Sequence, residues 1–172
     1  MGMGFWLLMS VKSEYIGIDT SNYTTSVALL TPDGMESRRK LLPVREGERG
    51  LRQSDAVFHH MKQFPDLFET LPSPLDLTAV GVSVRPRSVL GSYMPCFLAG
   101  SSYARCLARS YGCPLYEFSH QQGHIAAGLW STGREDLFHK PFLAFHVSGG
   151  TTELLLVNGI EDIQLLCHTL DL

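Results

Sequence analysis

The 172-residue sequence predicts an α/β fold, a mixed sheet covered by helices and followed by the opening strands of a second sheet. Three observations predict it. β-rich runs open the chain, apolar runs of strand length then alternate with helical periodicity as far as Trp130, and a strand pattern restarts at Phe142.

Tyr15 to Thr20 and Thr25 to Thr31 are β-rich runs separated by the polar turn Ser21-Asn22-Tyr23-Thr24. Pro32-Asp33-Gly34 supplies a second turn before a third strand, Met35 to Val44, so the opening reads as a three-stranded meander. Val57, Phe58, Met61, Phe64, Leu67, Phe68 and Leu71 then recur at three- and four-residue spacing, which predicts an amphipathic helix with its N-cap at Ser54 or Asp55. Pro72 and Pro74 end it. Leu77 to Val84 is a buried strand by its apolar, β-branched content, and Phe97 to Ser110 is a helix whose small residues let its backbone approach a sheet closely. Pro114 to Phe118 is a short strand, and Ser119 caps a helix running to about Trp130. Ser131 to Asp136 is the most linker-like stretch, which places a domain boundary there: residues 1–12 are a leader outside the fold, 13–134 a first lobe and 135–172 the incomplete start of a second. Phe142 to Val147, Thr152 to Val157 and Ile163 to His168 are the strands of that restart. Three strands, helix, strand, helix, strand, helix is the order of a ribonuclease H-like lobe, and its parallel neighbours need crossover connections.

With 44% hydrophobic residues, 18% charged residues and a net charge of -3, the composition is that of a globular protein without the basic excess of a dedicated nucleic-acid binder. An RNA partner must meet a local basic patch. The four cysteines form no CxxC pair and lack the dense spacing of stapled secreted domains, which favours a reducing cytoplasm. The apolar run Phe5 to Leu8 is far shorter than a membrane span, so no membrane association is expected.

Three segments can carry chemistry. In Ile16-Gly17-Ile18-Asp19-Thr20-Ser21 a strand delivers a carboxylate and two hydroxyls into a turn that either faces phosphates or a metal ion, or only satisfies a hairpin. In His120-Gln121-Gln122-Gly123-His124 two imidazoles lie four residues apart on one helix face; they converge on one metal, or are exposed or capping residues. Imidazole suits zinc, iron, copper or nickel, and two histidines do not choose among them. Val147-Ser148-Gly149-Gly150-Thr151-Thr152 places glycines and hydroxyls between two strands, as an anion nest or as an ordinary hairpin turn. His59 and His60 lie on the long amphipathic helix, where one of them reads as a helix-surface residue rather than a catalyst. Walker A, GxGxxG and serine-hydrolase signatures are missing from the sequence.

In this order and spacing, the three motifs resemble the TsaD family, tRNA N6-threonylcarbamoyladenosine synthases once called O-sialoglycoprotein endopeptidases. The likeness runs from about Tyr15 to the end. It implies an actin-like ATPase fold and transfer of a threonylcarbamoyl group from its adenylate to an adenosine of tRNA. It further implies a divalent metal, iron or zinc, on His120 and His124, and contacts to threonylcarbamoyl-adenylate or an ATP-like nucleotide from His146, Val147, Ser148, Gly149 and Gly150. Asp19, Thr20 and Ser21 would lie on the phosphate side. The partners it implies are tRNA and either a TsaB-like actin-fold subunit or a second copy in a homodimer. Four departures accompany the likeness. Ser83-Val84-Arg85-Pro86-Arg87 stands where the family usually has a glycine-proline-glycine turn, and its two arginines can either contact an anion or obstruct the usual backbone approach. Thr151 replaces a histidine or asparagine, Asp19 replaces a glutamate, and the chain stops before the aspartate that completes the family's metal site, which implies that this chain alone is inactive. A TsaB-like non-catalytic subunit or another actin-like ATPase or kinase are the alternatives; both leave the histidine pair without a purpose.

Overall fold

The computed structural model describes residues 13–44, 50–73, 75–147 and 152–169. The expected leader and the Ser148 to Thr151 turn lie outside them.

The chain runs β1 (Glu14–Asp19), β2 (Thr24–Thr31), β3 (Gly34–Leu41), α1 (Gln53–Glu69), β4 (Leu77–Arg85), α2 (Phe97–Tyr111), β5 (Leu115–Ser119) and α3 (His120–Ser131). A 3-10 helix, Glu135–His139, occupies the linker-like stretch, and β6 (Phe142–Val147), β7 (Thr152–Gly159) and β8 (Asp162–His168) follow. The first sheet has the order β3-β2-β1-β4-β5 and the second β6-β7-β8. β1, β2 and β3 pair antiparallel as the expected meander, whereas β4 pairs parallel with both β1 and β5. The C-terminal ends of β1, β4 and β5 therefore share one edge of the sheet, which brings Asp19, Arg85 and Ser119 to the place where open α/β sheets receive ligands.

The main core forms where Ile16, Ile18, Val27, Leu29, Val80 and Val82 of the sheet meet Phe64 and Leu67 of α1 and Ala104 and Ala108 of α2. Each fully buried aliphatic side chain there contributes about 1.5–3 kcal/mol. The small residues of α2 work as the sequence suggested. A Cβ on Gly100 would stand 2.8 Å from Thr20 Oγ1, so only glycine permits this approach of helix to strand end. Gly112 ends α2 in the left-handed region, at φ 65°, where glycine carries no steric penalty.

Helix α1 differs from expectation at its start and in its middle. Neither Ser54 nor Asp55 caps it; it begins at Gln53 after Arg52, which makes no side-chain cap, and the Ser54 hydroxyl turns to Asp55 Oδ1 at 3.4 Å. The helix also runs through Pro65, which has no N–H to give to the carbonyl of Met61. The Tyr103 hydroxyl donates to that carbonyl at 3.2 Å, so α2 supplies the hydrogen bond the proline removes. His60 is buried in the core. The Thr25 hydroxyl donates to Gln63 Oε1 at 2.9 Å, so His60 Nδ1 is the donor in its 2.8 Å contact with Thr25 Oγ1, and burial pushes this imidazole's pKa down.

Ser119 caps α3 as expected, in a capping box. Its Oγ accepts from Gln122 N–H at 3.1 Å, and its own N–H donates to Gln122 Oε1 at 2.6 Å. Ile125 and Leu129 of α3 pack against Leu155 and Val157 of β7. The helix carrying the two histidines thus lies against the second sheet while starting at the edge of the first.

Candidate metal and anion site

Asp19 divides its two carboxylate oxygens. Oδ1 accepts the Ser21 N–H at 2.8 Å, which makes the turn after β1, and Oδ2 meets His120 Nδ1 at 2.8 Å. The turn role foreseen for Asp19 is filled by Oδ1, while Oδ2 is engaged by an imidazole. Burial by itself raises the carboxyl pKa, but the hydrogen bond and charge of His120, the Ser21 amide and Ser83 outweigh it and bring the pKa from its ordinary 3.8 to about 2. An ionised carboxylate only accepts, so His120 Nδ1 is the donor in this contact.

His120 Nε2 stands 2.8 Å from Nε2 of His124, one helical turn along, with the ring centroids 4.2 Å apart in an edge contact. Burial, and then the neighbouring His120 and His146, push His124 below the usual histidine range and favour its neutral, metal-ligating form. A carboxylate behind a histidine is the arrangement that orients imidazole ligands toward a cation. Among the described residues no group of three His, Cys, Asp or Glu side chains is arranged to hold a metal ion, so the pair is at most part of a coordination shell.

A second carboxylate lies beyond it. Glu153 of β7 is 1% exposed, and its Oε2 accepts from Gln121 Nε2 of α3 at 2.9 Å and contacts Nδ1 of His146, its β6 register partner, at 3.1 Å. Its Oε1 pairs with an Arg87 terminal nitrogen at 2.9 Å. A buried charge requires such partners. The His146 ring in turn lies 5.6 Å from that of His124. The segment after β4 is sewn to the start of α3: Gln121 N–H donates to Pro86 O at 3.0 Å and Ser88 Oγ to Ser119 Oγ at 3.0 Å, while Arg87 N–H donates to Ser92 Oγ at 2.9 Å.

Of the residues singled out in the sequence, Asp19, His120, His124 and His146 come together, and Ser21 contributes its amide. Thr20 is fully buried. Its hydroxyl donates to the Cys96 carbonyl at 2.9 Å and accepts from Gly100 N–H at 3.2 Å, so it ties β1 to α2 and turns away from the imidazoles. Val147 is exposed at the end of β6, and Ser148, Gly149 and Gly150 lie outside the described residues. Sequence reasoning passed over Glu153 and Gln121. The sign for Glu153 was there: it shares the inward face of β7 with Leu155 and Val157, where a carboxylate needs a reason to be.

A family model described as tRNA N6-adenosine threonylcarbamoyltransferase matches residues 55–172. Among curated proteins of that description, one from Riemerella anatipestifer is 35% identical over 166 residues, covering 93% of this chain and 47% of its own length. One from Thermosipho africanus is 27% identical over 158 residues, with 91% and 47% covered. The chain spans about half the length of these relatives. Among solved structures, YeaZ from Pseudomonas aeruginosa superposes with a TM-score of 0.54 at 15% identity, over 91% of this chain and 66% of that one, a likeness of fold. The fold is actin-like.

Proposed function

The chain belongs to the TsaD family, described as tRNA N6-adenosine threonylcarbamoyltransferase, and on that premise we propose that it is the metal-binding part of an enzyme that transfers a threonylcarbamoyl group from its adenylate to an adenosine of tRNA. The observation that carries this reading is the line Asp19, His120, His124, with contacts of 2.8 Å at each step. The donor set suits a divalent cation such as zinc or iron, because Asp19 occupies His120 Nδ1 and the Nε2 atoms of His120 and His124 lie 2.8 Å apart, so a cation would take the place of the proton they share. A cation bound there supplies Lewis-acid stabilisation to an oxygen that gains negative charge during acyl transfer.

The chain's own residues have separate tasks. Asp19 fixes the tautomer of His120, and Ser21 fixes Asp19. Val147, Ser148, Gly149 and Gly150 are assigned to the adenylate on the strength of the family likeness alone, and His146 pairs with Glu153. Residues 13–134 form a first actin-like lobe, and β6, β7 and β8 belong to a second sheet that follows it. Partners are tRNA and either a TsaB-like subunit or a second copy of this chain, laid on the apolar outer face of β6 where Leu143, Phe145 and Val147 are exposed. A cytoplasmic location is in keeping with a tRNA substrate, and no helix among the described residues is long and apolar enough to cross a membrane.

Calorimetric titration with zinc and with ferrous iron under anaerobic conditions tests the site. The His120→Ala, His124→Ala double variant should bind at least tenfold more weakly than the wild type. Equal affinities would refute the metal assignment.

A further inference from the structure

We infer that Arg87 is an anion-contacting, specificity-determining residue of this site, its guanidinium anchored on the buried Glu153 so that the unengaged nitrogens take a phosphate of the substrate. The inference rests on reading the site as one for an adenylate. Arg87 and His146 share a single carboxylate, one on each oxygen, so the guanidinium stands on the border of the imidazole group. Only one of its terminal nitrogens is paired with Glu153, and among the described residues its side chain makes no other ion pair or hydrogen bond. The Arg87 side chain is 42% exposed, against 1% for its partner, so the rest of the fork faces solvent where a ligand can reach it.

The neighbouring backbone explains why a side chain is needed. Three of the amides at this helix start are already used: Gln121 N–H by Pro86 O, Gln122 N–H by Ser119 Oγ and Ser119 N–H by Gln122 Oε1. Two carboxylates, Asp19 and Glu153, flank the imidazoles and would repel an anion unless a cation stood with them. Arg87 meets that need from a segment held by the Pro86, Arg87 and Ser88 hydrogen bonds, so its direction is set before the ligand arrives. A planar guanidinium engages two oxygens of a phosphate at once, which a lysine does not reproduce.

The test is calorimetric binding of AMP, adenosine and inorganic phosphate to the wild type, Arg87→Gln and Arg87→Lys. An Arg87→Gln, Glu153→Gln double variant keeps the buried position uncharged should the single variant fold poorly. The wild type should bind AMP at least tenfold more tightly than adenosine, as expected of a charge-assisted contact. Arg87→Gln should erase that preference while leaving adenosine binding unchanged, the double variant should likewise show no preference for AMP over adenosine, and Arg87→Lys should keep part of it. A preference for AMP that survives in Arg87→Gln, or one missing from the wild type, overturns the inference. Failure of adenosine and AMP to bind any form would sink the adenylate reading instead. In that case inorganic phosphate decides: binding that depends on Arg87 upholds the anion contact, and phosphate binding that is absent, or equal in wild type and variants, overturns it.

Discussion

Asp19→Asn is the most informative single change, because one side chain holds both the turn after β1 and the tautomer of His120. The fall of its pKa from 3.8 to about 2 corresponds to about 2 kcal/mol of stability at neutral pH, at roughly 1.4 kcal/mol per pKa unit. Its side chain is 25% exposed, so solvent screens little of this. The sign follows from the direction. A carboxyl with a depressed folded-state pKa stabilises fully above its unfolded value, near 4, and loses that contribution as pH falls through about 2. Asparagine matches the shape but carries no charge. Urea unfolding should therefore show the variant about 2 kcal/mol less stable at pH 7, with the difference closing between about pH 4 and pH 2. Zinc affinity should fall about tenfold in the same variant, since the carboxylate no longer sets the His120 proton. A variant within about 0.5 kcal/mol of wild type at pH 7, or one with the same acid limb, would refute the argument that the Asp19 charge is engaged.

Two further substitutions probe the scaffold. Gly100→Ala places a Cβ 2.8 Å from Thr20 Oγ1, an atom held by two hydrogen bonds and unable to retreat, so the variant should be less stable by about 1–2 kcal/mol despite the better helix propensity of alanine; a raised urea midpoint would contradict this. Ser119→Ala removes the cap of α3 together with the Ser88 contact and should cost about 1–2 kcal/mol, checked by the same unfolding curve, with no loss showing that the capping box is not engaged.

The sequence by itself determined the order of the elements, the opening meander, the Ser119 cap and the phase of the histidine pair. Each of these is a local property: side-chain alternation, helical periodicity and the chemistry of a turn act over a few residues and are written in consecutive positions. The placement of His120 and His124 one turn apart needed nothing beyond helix geometry. Tertiary structure decided which carboxylate stands behind which imidazole. Asp19 and His120 are 101 residues apart and meet only because β1, β4 and β5 run parallel and end at one edge. Glu153 reaches Gln121 and Arg87 only because α3 packs on the second sheet. The same cause turned Thr20 inward, since a hydroxyl at the end of a buried strand takes the nearest backbone partners, here on α2, and moved His60 into the core beside Thr25. Periodicity says which face of an element is apolar, but the polar groups that share a face find their partners only through the order in which strands and helices pack, and that order is a property of the whole chain.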